Sequence, residues 1–131
     1  MKRIIIQNID LPRKDLKNDV QWICDSLGLI NGRDTNQISF KIFYELLDQF
    51  SSDKLISTED LANNLHLEPP RINHHIRTMM DSGIFLREKR KVALRGGSLT
   101  AAIEEMKRDS NLMFNRLLEV SKKIDKAFDL N

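Results

Sequence analysis

The sequence predicts a mainly α-helical protein with a small β-hairpin and a long C-terminal helix. Apolar residues recur at helical spacing over most of the chain. A basic segment near residue 90 instead alternates apolar and polar residues, as a strand does. From Leu99 to Ala127, mainly apolar residues recur at alternating intervals of four and three residues, which is a continuous heptad pattern. At 131 residues, the chain has the length of one domain, or of one domain with an appended helix.

Composition limits the possible partners and compartments. Lys and Arg number 21 against 19 Asp and Glu, so any nucleic-acid surface must come from local clustering of charge. The single cysteine, Cys24, excludes an intrachain disulfide and suits a reducing compartment. No apolar run approaches the roughly 18 residues of a membrane span, and the apolar stretch after Met1 is too short for a signal peptide. We therefore predict a cytoplasmic protein without membrane contact.

Residues 1–33 are expected to form an N-terminal arm and a helix that supports a dimer. The isoleucine-rich residues 2–9 fit a short strand, a tethered arm or a disordered tail. The helix is predicted to begin near Asp10–Pro12, since proline is well tolerated in a first turn, and to end at Gly28. Asn31-Gly32 indicates a turn. The predicted apolar face of this helix consists of Leu16, Val20, Ile23, Cys24 and Leu27.

Residues 34–97 are expected to form the main domain. Asp34 or Thr35 can cap its first helix, and the broad apolar stripe that follows indicates a central core helix. Ser57 is predicted to start the next helix, with the spacing of a capping box. The stripe of the core helix consists of Ile38, Ile42, Phe43, Leu46, Leu47 and Phe50, and the buried face of the next helix consists of Leu61, Ala62 and Leu65.

The segment that follows has the spacing of two helices joined by a tight turn. Ala62 is small enough for the second helix to cross closely, and Leu65, Leu67, Ile72 and Ile76 can pack the pair at a steep angle. Pro69 and Pro70 fit only in a first helical turn, so the second helix should start near residues 68–70 and stop at Ser82-Gly83.

The opposite face of this second helix, over residues 69–81, carries polar side chains. Arg can pair bidentately with guanine and Asn with adenine, while other polar groups contact phosphate. An ordinary solvated helix face has the same composition, and that alternative stays open. The residues predicted to bind nucleic acid on this face are Arg71, Asn73, His74, Arg77 and Thr78.

These motifs resemble the winged helix-turn-helix of ArsR- and MarR-type transcriptional regulators. The resemblance lies in Leu61-Ala62-x-x-Leu65-x-Leu67, Ile72-Asn73-His74-His75-Ile76 and Gly83-Ile84-Phe85-Leu86-Arg87. More loosely, Gly32-Arg33-Asp34, the 94–99 segment and the long charged helix look like an archaeal winged-helix group of uncharacterised function. The resemblance implies a DNA-binding module. His66 departs from the pattern, because it stands where many such motifs have a turn glycine.

A basic hairpin, the wing of such a module, is predicted after the second helix. Alternation of Ile84 with Leu86, and of Val92 with Leu94, should bury one strand face and direct the charges outward. With no Asn-Gly or other glycine at the tip, the wing must be short or its turn irregular. Basic edge strands also serve to prevent aggregation, which is the alternative to phosphate contact. The predicted phosphate-binding residues are Arg87, Lys89, Arg90, Lys91 and Arg95.

The C-terminal helix, residues 98–131, is expected to form a homodimer. Its heptad seam suits a coiled coil, and the wider apolar face suggests that it also packs on the first helix and its Trp22. A helix folded back on its own domain is the alternative. Ser110 is the one polar residue within the seam. The predicted dimer interface consists of Leu16, Val20, Ile23, Leu99, Ile103, Met106, Met113, Leu117, Val120 and Ile124.

No pattern in the sequence indicates an enzyme, a metal site or a cofactor. Adjacent His74 and His75 diverge on a helix, and one cysteine cannot build a thiolate site. The sequence therefore predicts a homodimeric transcriptional regulator that binds double-stranded DNA, with helix 69–81 in the major groove and wing 87–95 on the backbone. Two alternatives remain: a factor that binds RNA or the ribosome, and a winged-helix module that binds only protein.

Overall fold

A computed structural model describes residues 15–29 and 37–130. Within these ranges, the chain forms five α-helices and a small three-stranded antiparallel sheet, which confirms a mainly α fold with a little β structure. The elements are α1 Leu16–Ser26, α2 Ile38–Phe50, β1 Leu55–Ile56, α3 Thr58–Leu65, α4 Pro69–Ser82, β2 Phe85–Glu88, β3 Lys91–Leu94, a 3-10 turn Arg95–Gly97 and α5 Leu99–Ala127.

The first two helices begin later than predicted: α1 begins at Leu16 rather than near Asp10–Pro12, and α2 begins at Ile38. The Asp15 carboxylate caps α1 by accepting hydrogen bonds from the backbone N–H groups of Lys17 and Asn18. The N-cap of α2 is Gln37, so this helix begins later than predicted. Gly28 has a φ of 66°, as expected for a left-handed stop after α1. The predictions for residues 1–14 and 30–36 lie outside the described residues.

The core is built around α2, as its apolar stripe predicted. Ile42, Phe43 and Leu46 are completely buried. The Phe43 and Phe85 rings are in edge contact with centroids 5.9 Å apart, and the Phe50 ring stacks on Phe85 at 6.0 Å. Apolar side chains of α3, α4 and β3 complete this core, and they include Leu61, Ile72, Ile76, Met79 and Val92.

The α3–α4 pair follows the predicted spacing closely. The Ser57 hydroxyl caps α3 by accepting from the Asp60 N–H at 3.0 Å. His66 ends the helix in a left-handed conformation, with φ 54° and ψ 42°, as its place in the turn required. The Leu67 N–H then donates to the Ala62 carbonyl. The second helix begins at Pro69 and ends at Ser82, in agreement with its proline start and glycine stop.

The sheet differs from the prediction by one residue in β2. Phe85 is 1% exposed whereas Leu86 is 49% exposed, so the expectation that Leu86 faces the core is wrong. Ile84 is buried but precedes the strand, and the strand register places Phe85 opposite Leu94 and Arg87 opposite Val92. A shift of one residue reverses the faces of a strand, and here Phe85 is directed inward by Phe43 and Phe50. β1 pairs with β3 and was not predicted.

The long helix α5 leaves the domain after its first turns. Ser98 caps it by accepting from the Ala101 N–H at 3.1 Å. Ala102 and Met106 are buried in the domain, but every described residue from Asn111 onward is exposed. The distal part therefore does not fold back on the described residues. Val20 and Met106 belong to the chain's own core, so their assignment to a dimer interface is wrong.

No helix within the described ranges is both long enough and apolar enough to cross a membrane.

Candidate nucleic-acid interface

The helix α4 has one buried face and one exposed face. Ile72, Ile76 and Met79 are completely buried on the inner side. His75 is also buried, and its ring Nδ1 lies 2.9 Å from the Ser39 hydroxyl of α2. These contacts hold α4 in one rotation about its axis, and this rotation determines which of its polar residues reach solvent.

The five α4 residues predicted to bind nucleic acid differ in exposure. Arg71, His74 and Arg77 are exposed, whereas Asn73 and Thr78 are half-buried at the edges of the face. The Arg77 Nε donates to the Asn73 carbonyl at 3.4 Å, and the Thr78 hydroxyl donates to the His74 carbonyl at 3.5 Å. Across the described part of the chain, neither Arg71 nor Arg77 pairs with a carboxylate. Their guanidinium groups therefore remain available to a ligand.

Asp81 is an exposed residue of α4 that the sequence reasoning missed. It lies seven residues after His74 and four after Arg77, and this spacing puts all three on one side of the helix. A carboxylate there would repel phosphate or accept a hydrogen bond from the amino group of cytosine. The same periodicity that identified the basic residues would have identified Asp81.

The tip of the β2–β3 hairpin is a two-residue turn made of Lys89 and Arg90. Their φ angles are 52° and 65°, and two positive φ angles are what a type I′ hairpin turn requires. The Arg87 guanidinium donates to the Arg90 carbonyl across this turn at 3.4 Å. The hairpin is thus short, which is the first of the two predicted alternatives, and its turn is regular. Its exposed cations are Arg87, Lys89, Arg90 and Lys91.

Arg95 does not join these cations, although it was predicted to contact phosphate. Its Nε lies 2.7 Å from a Glu105 carboxylate oxygen, and its Nη2 lies 2.6 Å from an Asp109 oxygen. The side chain is only 15% exposed. The chain turns into α5 immediately after β3, so the nearest partners of Arg95 are carboxylates of α5. We call this group of three residues the Arg95 clamp.

The clamp shifts the pKa of two of its three residues, Asp109 and Arg95. The hydrogen bond from Arg95, followed by its positive charge, lowers the pKa of Asp109 below its ordinary value of 3.8. The same hydrogen bond raises the pKa of Arg95. Both groups are therefore charged at neutral pH, and charge-assisted hydrogen bonds of this kind are among the stronger ones in proteins.

Two concave surfaces lie away from α4 and the hairpin. A polar groove of about 560 Å³ runs between the end of α2 and α3, and a smaller one of about 360 Å³ lies beside Phe40 and Tyr44. In residues 15–29 and 37–130, no group of three His, Cys, Asp or Glu side chains is placed to hold a metal ion. Cys24 is completely buried, as expected for a small apolar core residue.

Comparisons with protein-family models, curated proteins and solved structures gave no match to this chain.

Proposed function

We propose that the protein is a winged helix-turn-helix regulator of the ArsR/MarR type that binds double-stranded DNA as a homodimer. In this proposal α4 enters the major groove, and the β2–β3 hairpin contacts the sugar–phosphate backbone. The observation that carries it is the rotation of α4. Its apolar side is buried while Arg71, His74 and Arg77 are exposed and unpaired by carboxylates of the described residues.

The order of elements supports this reading. A core helix, a short strand, two helices joined by a tight turn and a hairpin follow one another, and β1 pairs with the hairpin through β3. In a helix-turn-helix protein, the second helix of the pair places its side chains against base edges in the major groove. That position corresponds to α4, whose arginines have the donor geometry for guanine.

The charge of the hairpin supports a contact with the backbone. Four exposed cations lie within residues 87–91, with Glu88 the only acid among them. Cations that neutralise phosphates release bound counterions, so binding should weaken steeply as salt rises. The net charge of +2 does not oppose this, because the hairpin itself carries a local excess of three positive charges, four cations against one acid.

The exposed part of α5 supports a homodimer. Met113, Leu117, Val120 and Ile124 all belong to the heptad seam, and each is about half exposed. A row of exposed apolar side chains along one helix face is typical of an interaction site, and a heptad repeat is the pattern of helices that pair with one another. A second copy of α5 is the partner that supplies the same repeat. Symmetric dimers of such modules bind two half-sites about one DNA turn apart.

The first test is selection of bound duplexes from a randomised DNA library, followed by affinity measurements on the selected duplex and on random duplex over a range of salt. Arg71→Ala or Asn73→Ala should weaken the selected duplex by roughly 1–3 kcal/mol and relax sequence preference. Lys91→Ala should weaken both duplexes alike and reduce the salt slope by about 0.9. Lys122→Ala, which removes an exposed cation of α5 outside the seam, is the matched control and should change neither.

The outcome distinguishes the alternatives from DNA binding. Equal losses on selected and random duplexes for Arg71→Ala and Asn73→Ala would exclude base readout by α4. Tighter, salt-dependent binding to structured RNA than to any duplex would favour an RNA- or ribosome-binding factor, since RNA is recognised largely by phosphate and shape. No binding to either nucleic acid would leave a module that binds protein.

A further inference from the structure

We propose that Arg95 is a positioning residue that fixes the direction of α5 relative to α4, and so determines which spacing of DNA half-sites the dimer accepts. The half-site part of this inference rests on the proposed function. The positional part rests on the contacts of Arg95 within one chain.

Arg95 connects three elements. Its backbone N–H donates to the Ile84 carbonyl at 2.9 Å, next to the end of α4. Its Nη1 donates to the carbonyl of Gly83, the C-cap of α4, at 3.5 Å. Its Nε and Nη2 donate to Glu105 and Asp109, which lie one turn apart on α5. One guanidinium group therefore spans from the end of α4 to the start of α5.

The corner beside Arg95 is closely packed as well. Gly96 has a φ of 72°, which favours glycine, and a Cβ at this position would lie 2.8 Å from the Ala101 Cβ. The chain consequently turns in contact with the first turn of α5. The clamp and this corner, together with the buried Ala102 and Met106, hold α5 at one angle to the domain.

That angle has a large effect because none of the described residues covers the distal part of α5. From Asn111 onward α5 is exposed, so the described residues hold it only through its first turns. The 17 helical residues 111–127 extend for about 25 Å. A rotation of about 10° at the junction therefore moves the far end of the helix by about 4 Å. Two copies joined along this part would place their α4 helices at a distance that depends on the junction angle.

Two variants break the clamp from opposite sides. Arg95→Gln removes the charge and the fork of donors, while Glu105→Gln with Asp109→Asn removes the charges of the acceptors and leaves Arg95 intact. Arg95→Lys is the conservative comparison, because a lysine can reach one carboxylate but cannot bridge both as a guanidinium does. Circular dichroism and thermal unfolding are the controls that test whether each variant is folded.

The positional part is tested by spin labels placed at Lys41 on α2 and Lys122 on α5, both exposed, in a Cys24→Ala background. Diluting the labelled protein with excess unlabelled protein isolates the distance within one chain. We expect a narrow distance distribution in the parent protein and a clearly broader one in both clamp variants, with Arg95→Lys between them. An unchanged width in both variants would overturn the inference.

The functional part compares one half-site with two half-sites at varied spacing. We expect both clamp variants to keep the affinity for a single half-site within about twofold and to keep the mass of a dimer. Their affinity for two half-sites at the preferred spacing should fall about tenfold. The reason is that the gain from binding two sites at once depends on whether the geometry lets both be occupied. Unchanged spacing preference in folded clamp variants with broadened distances would overturn this part. If the parent protein binds no duplex at all, the proposed function fails, and the distance measurement still decides the role of Arg95.

Discussion

The Ser39 hydroxyl lies 2.9 Å from the His75 ring Nδ1, and both side chains are buried between α2 and α4. This contact is a polar link between the central core helix and the helix that we propose to bind DNA. His75 lies beside His74, whose ring is exposed and in edge contact with it at 5.6 Å between centroids. The buried pair thus bears directly on how α4 presents its outer face.

Replacing Ser39 with alanine is expected to lower the free energy of unfolding by about 1 kcal/mol, because the buried hydrogen bond to His75 is lost. Urea unfolding measures this change. Ser52→Ala, at an exposed position after α2, is the control and should change stability by less than about 0.5 kcal/mol. A Ser39→Ala protein as stable as the Ser52→Ala protein would show that the contact contributes nothing.

Leu117→Lys is expected to convert the proposed dimer to a monomer, because it places a charge in the middle of the proposed helix interface. Sedimentation equilibrium measures the mass directly. Leu112→Lys is the matched control, since Leu112 is 51% exposed against 57% for Leu117 but lies outside the seam. A parent protein that sediments as a monomer, or equal dissociation by both variants, would contradict pairing through the seam.

The two residues at the hairpin tip are expected to lower the stability of the fold while contributing to DNA binding. Lys89 and Arg90 both have positive φ, whereas Asn-Gly is the pair that a type I′ turn prefers. Lys89→Asn with Arg90→Gly should therefore raise the free energy of unfolding by about 1 kcal/mol. The same variant should bind duplex DNA more weakly, with a salt slope reduced by about 1.8, because two phosphate contacts are lost.

Arg90→Ala separates the two effects of the hairpin variant. It removes one charge but keeps a side chain at the strained position, so binding should weaken without a gain in stability. A double variant that is less stable than the parent protein would contradict strain at the tip. Unchanged DNA affinity would contradict phosphate contact by the hairpin.

Acid is expected to weaken the Arg95 clamp through Asp109. The pKa of Asp109 is lowered by its hydrogen bond with Arg95, so the unfolded chain binds a proton at higher pH than the folded chain does. The contribution of this group to stability is therefore complete above the unfolded pKa of 3.8 and is lost as pH falls through the lower folded pKa.

The free energy of unfolding should be measured from pH 7 down to pH 3. The parent protein should be more stable than Asp109→Asn at neutral pH, and this difference should disappear below about pH 4. Asp125→Asn changes an exposed carboxylate on the distal part of the same helix and should follow the parent protein throughout. A parent protein and an Asp109→Asn protein that keep a constant stability difference over this range would contradict the assignment.

The sequence by itself determined the elements with strong local signals. Pro69, Pro70 and Gly83 bounded α4, Ser57 capped α3, and the long 4–3 repeat identified α5, because backbone geometry at these residues depends on near neighbours. The apolar stripe of α2 identified the centre of the core for the same reason. The polar face of α4 followed once its apolar positions were known, which left Asn73 and Thr78 at the edges of that face.

Only the tertiary structure decided what distant residues do to each other. The inward direction of Phe85 depends on the two phenylalanines of α2, and the pairing of β1 depends on β3. Both contacts join residues that are distant in the sequence, so a local pattern cannot predict them. Arg95 looked like one more cation of the hairpin until α5 brought Glu105 and Asp109 to it. Alternation and charge runs report local preference, whereas the partner of a charge is set by which elements the fold brings together.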